Sequence, residues 1–90
     1  MPRVERTFLI VNTLGLHARA AAQLVQTANR YRAEVHVEKD GAEVNGKSIM
    51  GVLTLAAAKG TQIVVSCKGE DADAAMVALS SLIENGFGEK

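Results

Sequence analysis

The twelve residues from Ala33 to Val44, AEVHVEKDGAEV, restrict the fold of this chain more than any other stretch. Val35 and Val37 alternate with Glu34, His36 and Glu38. One face of the segment is therefore apolar and the other polar, which is the period of a half-exposed strand. Asp40-Gly41 supplies the two-residue turn whose positive φ angles reverse a hairpin. A second strand starting at about Ala42 then pairs back antiparallel, and Asn45-Gly46 ends it. Such a sheet stays wet on one face and needs a cover on the other.

The rest of the chain supplies more strands and that cover. Thr7 to Val11, TFLIV, reads as a buried strand, and NTLG after it as a turn. From Ala18 to Tyr31 the apolar residues Ala21, Leu24, Val25, Ala28 and Tyr31 fall on one helical face, with Gln23, Gln26, Asn29 and Arg30 on the other. Ser48 is placed to cap a helix of about two turns, with Ile49, Val52 and Leu53 as its apolar stripe. QIVVSC, residues 62–67, is a strand with an apolar centre. A last helix follows, burying Ala72, Ala75, Met76, Leu79, Leu82 and Ile83 and ending at Gly86. Glu70, Asp71 and Asp73 crowd its N-terminus, where negative charge favours the helix dipole. The order is β-α-β-β-α-β-α, an α+β two-layer sandwich with a mainly antiparallel sheet and its helices on one face.

Ninety residues hold one core, so residues 1–90 are read as a single domain. The chain is 48% hydrophobic but only 3% aromatic, so that core is built from Ala, Val, Leu, Ile and Met. Ten basic and ten acidic residues cancel, which argues against a nucleic-acid or anionic-membrane partner. The segment MPRVERTF lacks a signal-peptide core, and no window of about 18 apolar residues is available for a membrane span. The expected location is the cytoplasm, without membrane insertion. The single cysteine, Cys67, rules out an intramolecular disulfide framework and a multi-cysteine zinc site, and its apolar strand makes it an inert core residue. His36 sits mid-strand beside glutamates with no His-x₃-His spacing, so no metal or other cofactor is expected.

The chemistry concentrates at NTLGLHARAAAQLV, residues 12–25. His17 lies just before the helix that begins near Ala18, where the first backbone N–H groups lack internal partners and point outward. With the helix dipole they form an anion site. Ala18 contributes its N–H, and Arg19 adds a fixed charge with a fork of donors suited to phosphate. The same field disfavours imidazolium, leaving one ring nitrogen with a free lone pair. That is what phosphoryl transfer to a histidine requires. Gly15 gives the backbone room to turn. The residues alone leave open the simpler reading of His17 as a helix-start or surface histidine. No serine lies in a nucleophile-elbow context, so a Ser-His-Asp triad has no support.

Three segments, GLHARAAAQLV, VNGKSIMGVLTLAAAKGTQIVV and GED…LIENGFGE, together resemble the HPr family, the histidine-containing phosphocarriers of the bacterial phosphoenolpyruvate:sugar phosphotransferase system. The likeness runs from about Thr7 to Glu89 and covers one signature at the histidine and another at the serine. It implies an open-faced β-sandwich with a four-stranded antiparallel sheet and three helices. It also implies a carrier with no turnover of its own, working as a monomer. His17 matches the histidine that takes a phosphoryl group from phospho-enzyme I and passes it to the enzyme II A domains of sugar permeases. Arg19 matches the arginine beside it. Ser48 matches the regulatory serine, a substrate of HPr kinase/phosphorylase in bacteria that have one. One residue departs from the pattern: the family usually has proline where this chain has Ala20. Alanine is a good helix former but leaves an extra N–H in the first turn.

Ser48 has two readings. As a plain N-cap it is worth about 1 kcal/mol; as a phosphosite it adds charge at a helix N-terminus and repels acidic partners. A docking surface is expected from Leu16, Ile49, Met50 and Leu53, with Met50 the best exposed candidate and Lys47 and Arg19 as a basic rim. Two other functions fit the same family likeness. One is an HPr-like regulator of a nitrogen-related branch. The other is a module signalled mainly through Ser48.

Overall fold

In the computed structural model, which describes residues 1–89, four strands and three helices alternate as expected. They are β1 (Arg3–Leu9), α1 (Ala18–Ala28), β2 (Glu34–Lys39), β3 (Ala42–Asn45), α2 (Ile49–Thr54), β4 (Gln62–Lys68) and α3 (Ala72–Glu84), followed by a short 3₁₀ turn, Gly86–Gly88. The sheet order is β1-β4-β2-β3, and every pairing is antiparallel. The helices cover one face, and the other stays open. This is the open-faced α+β sandwich read from the sequence.

The hairpin forms as its pattern dictates. Val37 pairs with Val44 and Lys39 with Ala42 across a turn in which Asp40 and Gly41 take φ of 52° and 85°. Val35 and Val37 are buried, while Glu34 points out and His36 and Glu38 are partly exposed. On β4 the inward residues Ile63, Val65 and Cys67 are almost fully buried. Burial pushes the Cys67 thiol pKa up, in keeping with an inert core cysteine.

Two boundaries and one buried position differ from the sequence reading. The first strand is Arg3–Leu9 rather than Thr7–Val11. It is an edge strand paired only with β4, so its charged N-terminal half faces water and only Phe8 within it is fully buried. Arg6 lies on the core side between Val4 and Phe8. Its stem crosses the sheet edge, placing the guanidinium 4.9 Å from the Phe8 ring centre and 2.8 Å from Ser80 Oγ. Helix α1 stops at Ala28, not Tyr31. Asn29 caps it, with both its backbone N–H and its amide Nδ2 on Val25 O. Tyr31, past the helix, is half-buried against the core. On α3, Ser80 is buried and Leu82 only partly so.

Helix α2 is six residues long and survives because both ends are satisfied. Ser48 Oγ accepts from Gly51 N–H at 3.1 Å. Lys39 Nζ donates to Leu55 O at 3.0 Å, placing a cation at the C-terminal carbonyls. Val52 is its one fully buried residue. The acidic start of α3 has a further job. The Asp71 carboxylate accepts from the N–H groups of Arg32 and Ala33, each at 2.8 Å, and ties the approach to β2 onto α3.

Candidate functional site

The loop between β1 and α1 is closed by a set of short bonds. Gly15 N–H donates to Asn12 O at 3.2 Å, and Asn12 Nδ2 donates back to Gly15 O at 2.7 Å. Leu16 N–H donates to Ala57 O at 2.8 Å, pinning the loop to the connection between α2 and β4. Gly15 has φ of +67°, and a Cβ there would lie 2.4 Å from Ala57 O. Only glycine meets both conditions. The chain leaves this turn with Leu16 in the core and His17 as the N-cap of α1.

The first bond of α1 runs from Ala21 N–H to His17 O at 2.8 Å, so the N–H groups of Ala18, Arg19 and Ala20 lie outside the helical ladder. His17, Arg19 and Ala20 line a concavity of about 260 Å³ with Leu14, Gln23, Phe87, Gly88 and Glu89. A cationic side chain, the free end of a helix and an imidazole thus meet at one pocket. Among the described lining residues, Glu89 is the acidic group that a bound anion would meet.

Glu89 comes from the far end of the chain. Its Oε2 sits 3.0 Å from His17 Nε2 and 2.6 Å from Asn12 Nδ2. The hydrogen bond from the His17 ring, reinforced by the Asn12 amide, holds the Glu89 carboxyl below the usual carboxylate range. An ionised carboxylate can only accept, so His17 Nε2 carries the hydrogen of this pair. In the neutral ring the free lone pair is then on Nδ1. The 3₁₀ turn that brings Glu89 in contains Phe87, buried despite a φ of 57°.

The sequence-predicted residues separate into two groups. His17, Ala18 and Arg19 fall together at the helix start, and Ser48 caps α2. Ile49 and Met50 are exposed, Met50 by 72%. Leu16, expected to dock partners, is buried instead, because the bond to Ala57 turns its side chain into the core. Leu53 is half-buried against the core, and Lys47 reaches inward to donate to Tyr31 O at 2.7 Å rather than forming a free basic rim. Leu14, 66% exposed beside the histidine, was missed. So were Asn12 and Glu89, since no local spacing joins residues 77 positions apart. A large apolar residue inside a turn was the only available signal, and it pointed to Leu14.

The family model described as PTS-HPr, PTS HPr component phosphorylation site, matches residues 4–85. The chain belongs to the HPr family. It is 51% identical over 86 residues to the phosphocarrier protein HPr of Xylella fastidiosa, covering 96% of this chain and 97% of that one. The crystal structure of HPr from Thermoanaerobacter tengcongensis superposes with a TM-score of 0.93 at 46% identity, covering 97% of this chain and 98% of the other. A dimeric HPr structure from the same organism gives 0.78 at 46% identity, covering 91% and 94%. HPr proteins are phosphocarriers of the phosphotransferase system, carriers rather than enzymes in their own right. Among the described residues no helix is long and apolar enough to cross a membrane.

Proposed function

We propose that this chain carries a phosphoryl group on Nδ1 of His17, receiving it from phospho-enzyme I and delivering it to enzyme II A domains in the cytoplasm. The observation that carries the reading is the bond between Glu89 and His17 Nε2, set beside the free end of α1 and Arg19. In the transfer, the Nδ1 lone pair attacks phosphorus as the bond from phosphorus to the donor's leaving atom breaks, and the electron pair of that bond stays with the donor. The equatorial oxygens carry the charge, met by Arg19 and by the N–H groups of Ala18 and its neighbours. The phosphorylated ring keeps its Nε2–H on Glu89, which offsets the positive charge the ring acquires. Passing the group onward reverses the step, and no proton has to leave Nε2 in either direction.

All these groups lie within one chain, which favours a monomer as the working unit. Leu14, Ile49 and Met50 are its exposed apolar contacts for partners. Ser48 is read as a regulatory phosphosite for an HPr kinase/phosphorylase. Phosphate there adds charge beside Ile49 and Met50 and weakens docking by repulsion.

Incubation with phosphoenolpyruvate and enzyme I should add one acid-labile phosphoryl group, seen by intact mass. The group should be absent from His17→Ala. Phosphate that persists in His17→Ala refutes the assignment. A separate incubation with ATP and HPr kinase tests Ser48.

A further inference from the structure

We propose that Asn12 is a positioning residue of the relay: one amide nitrogen ties the histidine loop to Glu89 and so keeps that carboxylate on His17 Nε2. The inference deepens the function proposed above and rests on it for its catalytic meaning. Asn12 is 4% exposed and three residues before the loop's glycine. Its Nδ2 donates to Gly15 O at 2.7 Å and to Glu89 Oε2 at 2.6 Å. Both partners only accept, so the amide must present its nitrogen to them, and its orientation is settled by chemistry.

The remaining atom makes the case stronger. Among the described residues nothing hydrogen-bonds to the buried Asn12 Oδ1. A buried acceptor without a protein partner is unfavourable, so it offsets part of what the bond from Nδ2 to Gly15 O contributes to the fold. The benefit falls on Glu89. That residue lies just past the 3₁₀ turn that follows the last α-helix, and besides His17 and Asn12 the Leu14 N–H is the other donor to its carboxyl. Its Oε2 takes two donors at once, one from the core-anchored loop and one from the ring. Asn12 thus acts on the reacting nitrogen through Glu89: it holds the carboxylate, the carboxylate holds the hydrogen on Nε2, and Nδ1 keeps its lone pair.

The test is a double-mutant cycle on the full chain with Asn12→Ala, Glu89→Ala and both together. The first readout is the pair of His17 ring ¹⁵N shifts at a pH where the ring is neutral. In the wild type the ring is mainly the Nε2–H tautomer. In Asn12→Ala the Nδ1 and Nε2 shifts should move toward each other by nearly as much as in Glu89→Ala, and the double variant should move no further. The second readout is the rate of phosphoryl uptake from phospho-enzyme I, which should fall by one common factor in all three. Unmoved ring shifts in Asn12→Ala, or losses that add in the double variant, overturn the proposal. Asn12→Asp keeps a turn-forming residue and should reproduce the Asn12→Ala shift. If neither variant folds by circular dichroism, Asn12 is a fold element and the proposal falls. The ring shifts need no partner protein, so a wild type that takes up no phosphate would sink the relay and leave the positioning result standing.

Discussion

Gly15→Ala should damage the site and the fold together. Glycine here has φ of +67°, and a methyl group would sit 2.4 Å from Ala57 O and 2.9 Å from Ala58 Cα, both backbone. The left-handed backbone costs an alanine about 1 kcal/mol. Forcing atoms into a packed contact costs about 1–3 kcal/mol more. The displaced carbonyl is the acceptor for Leu16 N–H at 2.8 Å, and disturbing that bond adds about 1 kcal/mol. The total is about 3–5 kcal/mol, a large share of the 5–15 typical of a domain. Urea and thermal denaturation followed by far-UV circular dichroism measure it, and the midpoint should fall by more than about 10 °C. Gly41→Ala is the control. Its φ is +85°, but nothing lies within 4 Å of the added carbon, so only the backbone penalty of about 1 kcal/mol applies. Equal losses in the two variants would refute the close-contact argument. So would a Gly15→Ala protein that loses less than about 1 kcal/mol.

Ala56, just past the C-cap of α2, has φ of 48° and is exposed. Ala56→Gly should stabilise the chain by about 0.5–1 kcal/mol, the left-handed penalty relieved minus the added freedom of the unfolded chain, seen as a higher urea midpoint. Ser48→Ala removes the bond to Gly51 N–H and should cost about 1 kcal/mol, while Ser48→Asp should keep most of it. Two backbone N–H groups hold the Asp71 carboxyl below its ordinary 3.8. A lowered folded value means the contribution is full above that pH and disappears as the pH falls through the folded value. Asp71→Asn should therefore flatten the acid limb of the stability-against-pH curve, measured by urea midpoints at successive pH values.

What the sequence disclosed was whatever repeats locally. The valines at 35 and 37, the Asp-Gly turn and the helical stripe of α1 fix strand faces and helix faces over a few residues, and each appears in the structure with the expected side buried. His17 and Arg19 were legible for the same reason, since both belong to one helix start. The first strand was misplaced because it was sought where apolar residues are densest. An edge strand needs only one fully buried side chain, so Arg3, Glu5 and Arg6 can belong to it. Its place beside the histidine is all that the local sequence offers for Leu16, and it points to the surface. Its direction depends on Ala57, which lies 41 positions later and is invisible to any local pattern. Glu89 and Asn12 meet for reasons of tertiary packing alone.

The same connections that hold the histidine also hold the fold. Gly15 against Ala57 and Leu16 N–H on Ala57 O are contacts between β1's exit and the segment entering β4, the partner of β1 and β2, while Asn12 on Gly15 O closes the loop on itself. A carrier's nucleophile must present one nitrogen in one place to unrelated partners, so a mobile loop would lose rate to misorientation at every encounter. Anchoring the loop on the segment that enters β4 prevents that, and it couples the site to the fold. Substitutions in residues 12–17 that impair transfer should therefore usually lower stability as well. Arg19 lies outside this loop: it is exposed on the first turn of α1 and makes none of these anchoring bonds. Arg19→Ala should slow phosphoryl uptake while leaving the unfolding midpoint within about 0.5 kcal/mol of the wild type. A comparable loss of stability would mean that the guanidinium belongs to the scaffold and not to the anion site.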